Sequence, residues 1–158
     1  MHGYRGTVLR VNLTSGEISK EGLDPALAMK FIGGRGLCSY VLSREVDPKV
    51  DPFSPDNKIC LSTGPLTGTS APAGSRYMVV AKSPLSGTIA SSNSGGFWGP
   101  ELKYAGYDMV ILEGKAPKPC YLFIKDDQVE LRDAGHCWGE LVSKTTGILQ
   151  EEADDPKT

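Results

Sequence analysis

The 158-residue sequence lacks the features that mark several large functional classes. No apolar run approaches the roughly 18 residues that a membrane-spanning helix needs, so we expect no membrane contact. The 17 lysines and arginines are scattered rather than gathered in a stripe, which argues against binding to nucleic acid. The first residues lead into a strand-like pattern without an apolar stretch. We therefore expect no signal peptide and a cytoplasmic location.

Cysteine and histidine are too few and too dispersed to build a metal site from side chains. No two of the four cysteines form a C-x-x-C pair, and the two histidines each stand alone. Structural zinc sites and iron–sulfur clusters usually take two ligands from such a pair. We expect the cysteines to be reduced, buried and equivalent to small apolar side chains. They are Cys38, Cys60, Cys120 and Cys137.

Two glycine-rich segments invite comparison with phosphate-binding loops, and both fail. Residues 68–76 have the wrong spacing for a Walker A loop and no lysine after the second glycine. Residues 34–39 read G-x-G-x-x-S and follow a predicted helix, whereas the dinucleotide fingerprint ends in glycine and follows a strand. Neither nucleotide motif is present.

Periodicity predicts one α+β domain over residues 1–158, with mainly antiparallel β-sheets and flanking helices. The strands come as hairpins rather than as βαβ units, which disfavours a doubly wound parallel sheet. Residues 151–158 are predicted to form a solvated acidic tail. The predicted strands cover 6–13, 17–19, 58–62, 77–81, 87–90, 108–113, 120–124 and 128–131. The predicted helices cover 25–31, 37–44, 99–105 and a segment that begins near Trp138.

The middle third, residues 61–99, is dense in glycine, serine, threonine, alanine and proline, yet it is interrupted by predicted strands. A disordered low-complexity segment would lack those apolar strands. Loops of small residues between short strands instead allow the backbone to approach a bulky ligand.

Six tracts in order along the chain resemble the N-terminal domain of the tungsten-containing aldehyde:ferredoxin oxidoreductase family. Each tract alone is weak, but the set is specific and covers essentially the whole sequence. The tracts are RVNLTSG at 10–16, GGRGL at 33–37, GPLTGTSAPAGSRY at 64–77, KSPLSG at 82–87, NSGGFWGPELK at 93–103 and AGYD at 105–108.

The resemblance implies a domain that forms the base for a tungsten-bispterin cofactor, with a magnesium ion bridging the two pterin phosphates. It assigns cofactor contacts to Arg76, Asn93 and Gly95, and it places the main chain of Asn93 at the magnesium ion. Glycine-rich turns and a guanidinium suit such a ligand, because they offer fixed N–H donors and bidentate pairing to phosphate. The plainer alternative is that Arg76 forms a surface ion pair and 93–96 is only a turn.

Three further residues within these tracts have two alternative roles each. Arg35 stands between glycines, where it could contact the cofactor, although we expect it to brace the turn between two helices. Phe97 and Trp98 could line the pterin pocket, but aromatic residues after a glycine turn more often belong to a core.

The resemblance also implies an enzyme that oxidises aldehydes to carboxylic acids with ferredoxin as electron acceptor. The second pterin half-site, the ligands of a four-iron four-sulfur cluster and the acid–base residues have no counterpart in this sequence. The chain alone is therefore expected to be inactive and to need the remainder of the enzyme or a complementary subunit, and a homodimer stays open. The alternative is a free-standing pterin-binding or assembly module. Tungsten and molybdenum both stay open as the metal.

Overall fold

A computed structural model describes residues 2–155, over which the chain folds into eight strands and four helices. The strands are β1 (Thr7–Asn12), β2 (Ile18–Gly22), β3 (Lys58–Thr63), β4 (Tyr77–Lys82), β5 (Ile89–Ser94), β6 (Met109–Glu113), β7 (Cys120–Lys125) and β8 (Gln128–Asp133). The helices are α1 (Pro25–Phe31), α2 (Gly34–Glu45), α3 (Trp98–Tyr104) and α4 (Val142–Ala153). In this part of the chain no helix is long and apolar enough to cross a membrane.

Six of the strands form one mixed sheet in the order β2-β1-β6-β3-β4-β5, and β7 pairs with β8 in a separate hairpin. Strands β1 and β6 run parallel, whereas the other neighbours are antiparallel. The α+β prediction with a mainly antiparallel sheet is confirmed. Strand β5 lies at the edge of the sheet, and all six of its residues are exposed.

Both faces of the sheet carry apolar side chains because its central strands are covered on two sides. On one face, residues such as Val8, Cys60 and Ile111 pack against the buried side of α2, which includes Leu37 and Leu42. On the other face, Leu9, Val11 and Val110 pack with residues of α3 and of the β7–β8 hairpin. The result is three layers, in which the site described below lies at one end of the middle layer.

Helix α1 begins as the sequence predicts. The Asp24 carboxylate accepts a hydrogen bond from the Ala26 amide at 2.8 Å, and Pro25 occupies the first helical position. Helix α2 begins at Gly34, three residues before the predicted start at residue 37. A Cβ on Gly36 would collide with the carbonyl oxygen of Phe31, so this glycine permits close packing between the two helices rather than forming a loop.

Three further predicted boundaries are wrong. Strand β5 starts at Ile89 rather than at residue 87, because residues 83–88 close a turn through a 2.8 Å hydrogen bond from the Ser83 amide to the Thr88 carbonyl. Helix α4 starts at Val142 rather than near Trp138, because turns occupy the preceding residues. The predicted acidic tail is helical as far as Ala153, and its residues 156–158 lie outside the described chain.

The cysteines behave largely as predicted. All four are free; Cys38, Cys60 and Cys137 are buried, while Cys120 is half-buried. Within residues 2–155 no group of three or more histidine, cysteine, aspartate or glutamate side chains could hold a metal ion.

Candidate functional site

The predicted site residues meet at one end of the six-stranded sheet. Strand β3 stops there at Thr63, which pairs with Tyr77 at the start of β4, and Tyr77 pairs in turn with Ser94 at the end of β5. The start of α2 lies at the same end, because a Cβ on Gly33 would be 2.6 Å from the Thr63 carbonyl oxygen. We call this region the site end of the sheet.

Arg76 and Asn93 are in direct contact at the site end. Arg76 immediately precedes β4, and Asn93 is the fifth residue of β5, opposite Met78. The Arg76 guanidinium donates a hydrogen bond from Nη1 to the Asn93 side-chain oxygen at 2.6 Å. Both residues are exposed, and no carboxylate pairs with Arg76 among residues 2–155. The plainer alternative of a surface ion pair is therefore not realised within this part of the chain.

Gly95 follows β5 and lies beside the same guanidinium. A Cβ built on Gly95 would meet Arg76 Cδ, Arg76 Nε and Ser75 Oγ, each at 3.9 Å, which is ordinary contact. The chain thus has room for a side chain at this position. Its own packing does not require glycine there, whereas the close approach of a ligand to the backbone would.

The loop that carries Arg76, residues 64–76, is held by a buried hydroxyl that the sequence analysis did not single out. Thr67 is 4% exposed, and its Oγ1 accepts a hydrogen bond from the Gly64 amide at 3.2 Å. The same hydroxyl donates to the Arg76 carbonyl oxygen at 3.0 Å. One side chain therefore joins the two ends of the loop. A threonine among glycines gave no periodic signal that could have identified it.

Arg35 occupies the first turn of α2 and is exposed. It makes no hydrogen bond or ion pair with any other residue between 2 and 155, so its side chain does not brace the turn as we expected. The turn depends on its glycines instead. A Cβ on Gly34 would be 3.1 Å from Met78 Cγ, which brings the start of α2 against β4.

The two aromatic residues after β5 differ from the expectation that they belong to the core. Phe97 is 82% exposed, and Trp98 is half-exposed with its ring 4.5 Å from the ring of Tyr77. Trp98 therefore covers the start of β4, which is next to Arg76. Phe97 projects from the site end without a described aromatic partner.

A buried ion pair stabilises the site end of the sheet. Asp108 and Lys103 are both almost fully buried, and the Lys103 ammonium donates to the Asp108 carboxylate. That carboxylate also accepts hydrogen bonds from the amides of Arg5 and Gly6, while the Asp108 carbonyl accepts one from the Thr63 amide at 3.0 Å. The pair is satisfied on all sides, as a buried charge must be. It ties the N-terminal segment, α3 and the end of β3 together.

A second charged cluster lies at the opposite end of the sheet, where Lys58 of β3 is paired with Glu113 of β6. Arg10 and Lys58 each bridge Glu45 and Glu113 beside a cleft of about 740 Å³. The hydrogen bond from Arg10 lowers the pKa of Glu45, and contacts from Lys58 and Arg10 lower the pKa of Glu113 against the opposing effect of burial. These charges satisfy one another and hold α2 to the sheet, so we assign this cluster to stability.

The chemistry of the site end suits an anionic organic ligand rather than a metal bound by side chains. Arg76 keeps guanidinium N–H groups beyond the one it donates to Asn93. The backbone at Gly95 is open to close approach. A guanidinium beside accessible backbone is a donor set that phosphate oxygens fit well.

Comparisons with known proteins identify the family to which the chain is similar. The family described as "Aldehyde ferredoxin oxidoreductase, N-terminal domain" matches residues 8–158. A tungsten-containing aldehyde ferredoxin oxidoreductase of Pyrococcus abyssi is 58% identical over 155 residues, which cover 98% of this chain and 26% of the relative. The protein of the same name from Pyrococcus furiosus is 54% identical over 157 residues, covering 99% of this chain and 26% of the relative.

A solved structure extends the likeness to the fold. The active site complex BamBC of benzoyl coenzyme A reductase, in complex with 1,5 dienoyl-CoA, contains a chain that superposes with a TM-score of 0.96 at 42% identity. The match covers 99% of this chain and 24% of that chain. This chain spans about a quarter of the length of the curated relatives it matches. It belongs to the aldehyde ferredoxin oxidoreductase family, with residues 8–158 corresponding to the family's N-terminal domain.

Proposed function

We propose that this chain is the cofactor-binding part of an oxidoreductase that oxidises aldehydes to carboxylic acids at a tungsten-bispterin centre, with ferredoxin as electron acceptor. The observation that carries the proposal is the contact of Arg76 with Asn93 beside the open backbone of Gly95. Family membership and relatives named as tungsten-containing support it. The bound cofactor would supply the redox chemistry, and the protein would hold and insulate it.

Each of the three residues has a separate task in this proposal. Arg76 binds a pterin phosphate through the N–H groups that it does not give to Asn93. The Asn93 side-chain oxygen accepts a hydrogen bond from Arg76, and the Asn93 main chain would contact the magnesium ion of the cofactor. Gly95 allows the cofactor to lie against the backbone, since a larger residue would fill the open space there.

The remainder of the enzyme completes the site in this proposal. Residues 1–158 form one truncated cofactor-binding domain, and the part beyond it supplies the second pterin half-site, the iron–sulfur cluster and the acid–base residues. Relatives about four times longer than this chain support that division over a free-standing pterin-binding module. The exposed edge strand β5 and the exposed ring of Phe97 are the surface that the remainder would cover.

Substrate choice is assigned to the part of the enzyme beyond this domain. The two Pyrococcus relatives described above are named for aldehydes, whereas the matching solved structure belongs to a benzoyl coenzyme A reductase. Their N-terminal regions are nevertheless similar to this chain at 58% and 42% identity. A region shared between proteins with such different substrates suits a cofactor platform better than a specificity pocket.

The test compares the full-length protein with the isolated 158-residue chain. We expect the full-length protein to contain tungsten, magnesium and iron and to reduce ferredoxin when an aldehyde is added. The isolated chain should fold, because its two apolar clusters close without further residues, yet bind no metal and show no activity. Full-length protein without tungsten would refute the proposal, and so would stoichiometric tungsten in the isolated chain.

A further inference from the structure

Arg76 stands at the end of a long loop, immediately before β4. The position of its guanidinium therefore depends on the conformation of the loop backbone. Residues 64–75 contain five glycines or prolines and no helix or strand. The loop is nevertheless tightly packed: a Cβ on Gly74 would be 2.7 Å from the Leu66 carbonyl oxygen. The guanidinium can keep one position only if a contact holds the two ends of this loop together.

We propose that Thr67 is the positioning residue for Arg76, because its buried hydroxyl joins the Gly64 amide to the Arg76 carbonyl across the loop. The hydroxyl accepts from the amide at 3.2 Å and donates to the carbonyl at 3.0 Å, so its hydrogen-bonding capacity is used at both ends of the loop. The Thr67 amide also donates to the Gly64 carbonyl at 3.2 Å. This inference rests on the proposed function, since it assigns Thr67 a role only through Arg76.

The methyl group of Thr67 has a different task from the hydroxyl. Its Cγ2 would be 3.2 Å from a Cβ on Gly99, so the methyl packs against the first turn of α3. The chain therefore offers substitutions that separate the two groups. Thr67→Val removes the hydroxyl and keeps the shape, whereas Thr67→Ser keeps the hydroxyl and removes the methyl.

The same loop provides a matched control. Thr69 is exposed, and its hydroxyl donates to the Leu66 carbonyl at 2.8 Å without contacting Arg76. Thr69→Val therefore removes a loop hydroxyl of the same kind. If Thr67 acts on the cofactor through Arg76, only the change at residue 67 should matter.

The experiment measures tungsten per chain, after gel filtration of the full-length protein, together with the thermal unfolding midpoint. We expect Thr67→Val to retain about fivefold to tenfold less tungsten, the loss that corresponds to one or two weakened hydrogen bonds. Thr67→Ser should restore tungsten, and Thr69→Val should match the wild type. Normal tungsten in Thr67→Val would overturn the inference, and so would failure of Thr67→Ser to rescue it.

A double-variant cycle distinguishes positioning from a general structural role. If Thr67 acts through Arg76, adding Thr67→Val to Arg76→Ala should lower tungsten no further. Full additivity would overturn the inference. Thr67→Ala serves as a second variant without the valine methyls, and if both variants fail to fold, Thr67 is a stability residue and the inference is wrong. Normal tungsten in Arg76→Ala alone would refute the cofactor role of Arg76 instead.

Discussion

Replacing Arg76 with alanine should separate cofactor binding from folding. Arg76 is exposed, and its one described side-chain hydrogen bond goes to Asn93. Losing an exposed hydrogen bond of this kind costs about 1 kcal/mol of unfolding free energy or less. The thermal midpoint of Arg76→Ala should therefore stay close to that of the wild type.

The expected effect on the cofactor is much larger. A charge-assisted contact between a guanidinium and a phosphate contributes about 1.5–3 kcal/mol, which corresponds to about 10-fold to 150-fold in affinity. Arg76→Lys keeps the charge but loses the planar fork, so its tungsten content should lie between those of Arg76→Ala and the wild type. Elemental analysis of the purified full-length variants measures the effect directly.

The control is Arg44→Ala, which removes an exposed arginine from the last turn of α2, away from the site end. It should retain tungsten as the wild type does. The reasoning is refuted if Arg76→Ala contains normal tungsten per chain. It is equally refuted if Arg76→Ala loses its fold, because an exposed side chain with one described contact should not have that effect.

Two further predictions concern the turn after β5 and the charged cluster at the other end of the sheet. Gly95→Val should fold normally, because the position is open, but should exclude the cofactor; Gly36→Val, which collides with Phe31, should instead lose stability. Unchanged tungsten in Gly95→Val would show that this turn does not border the cofactor. The lowered pKa of Glu45 means that its stabilisation is complete above the ordinary value of 4.5 and is lost as the pH falls through the lower value in the fold. Urea unfolding of the chain between pH 7 and pH 3 should show this loss, and Glu45→Gln should weaken the dependence; an equal slope in both would contradict it.

Local patterns were enough to predict most of the secondary structure. The alternation in β1 and the Asp24–Pro25 start of α1 each depend on neighbouring residues, and both elements form where predicted. The sequence predicts strand β5 too early, because its small polar residues carry no apolar alternation and its register is imposed by pairing with β4. The sequence predicts the start of helix α2 too late, because glycines usually end helices, whereas here they allow contact with α1.

The candidate site, like the secondary structure, could be predicted from the sequence only in part. The tracts that resemble the family point to Arg76, Asn93 and Gly95, and the fold brings the first two into contact and the third beside them. The roles of the three residues stay predictions. No sequence pattern identifies Thr67, because its importance comes from burial and from two partners that only the closed loop brings together. Sequence patterns show which residues are present, whereas the role of a single buried hydroxyl depends on the partners that the folded loop brings to it.

The order of strands in the sheet has a consequence for how the chain reaches its native state. Strand β6 lies between β1 and β3, and it pairs with β1 although the two are separated by about a hundred residues, as in the pair Val8 and Met109. The β1–β2 hairpin and the β3–β4–β5 meander can each form from local pairing, but only β6 joins them. Non-local pairing of this kind slows folding. During synthesis the two halves of the sheet therefore stay separate, with their inner edges unpaired, until residues 109–113 have left the ribosome.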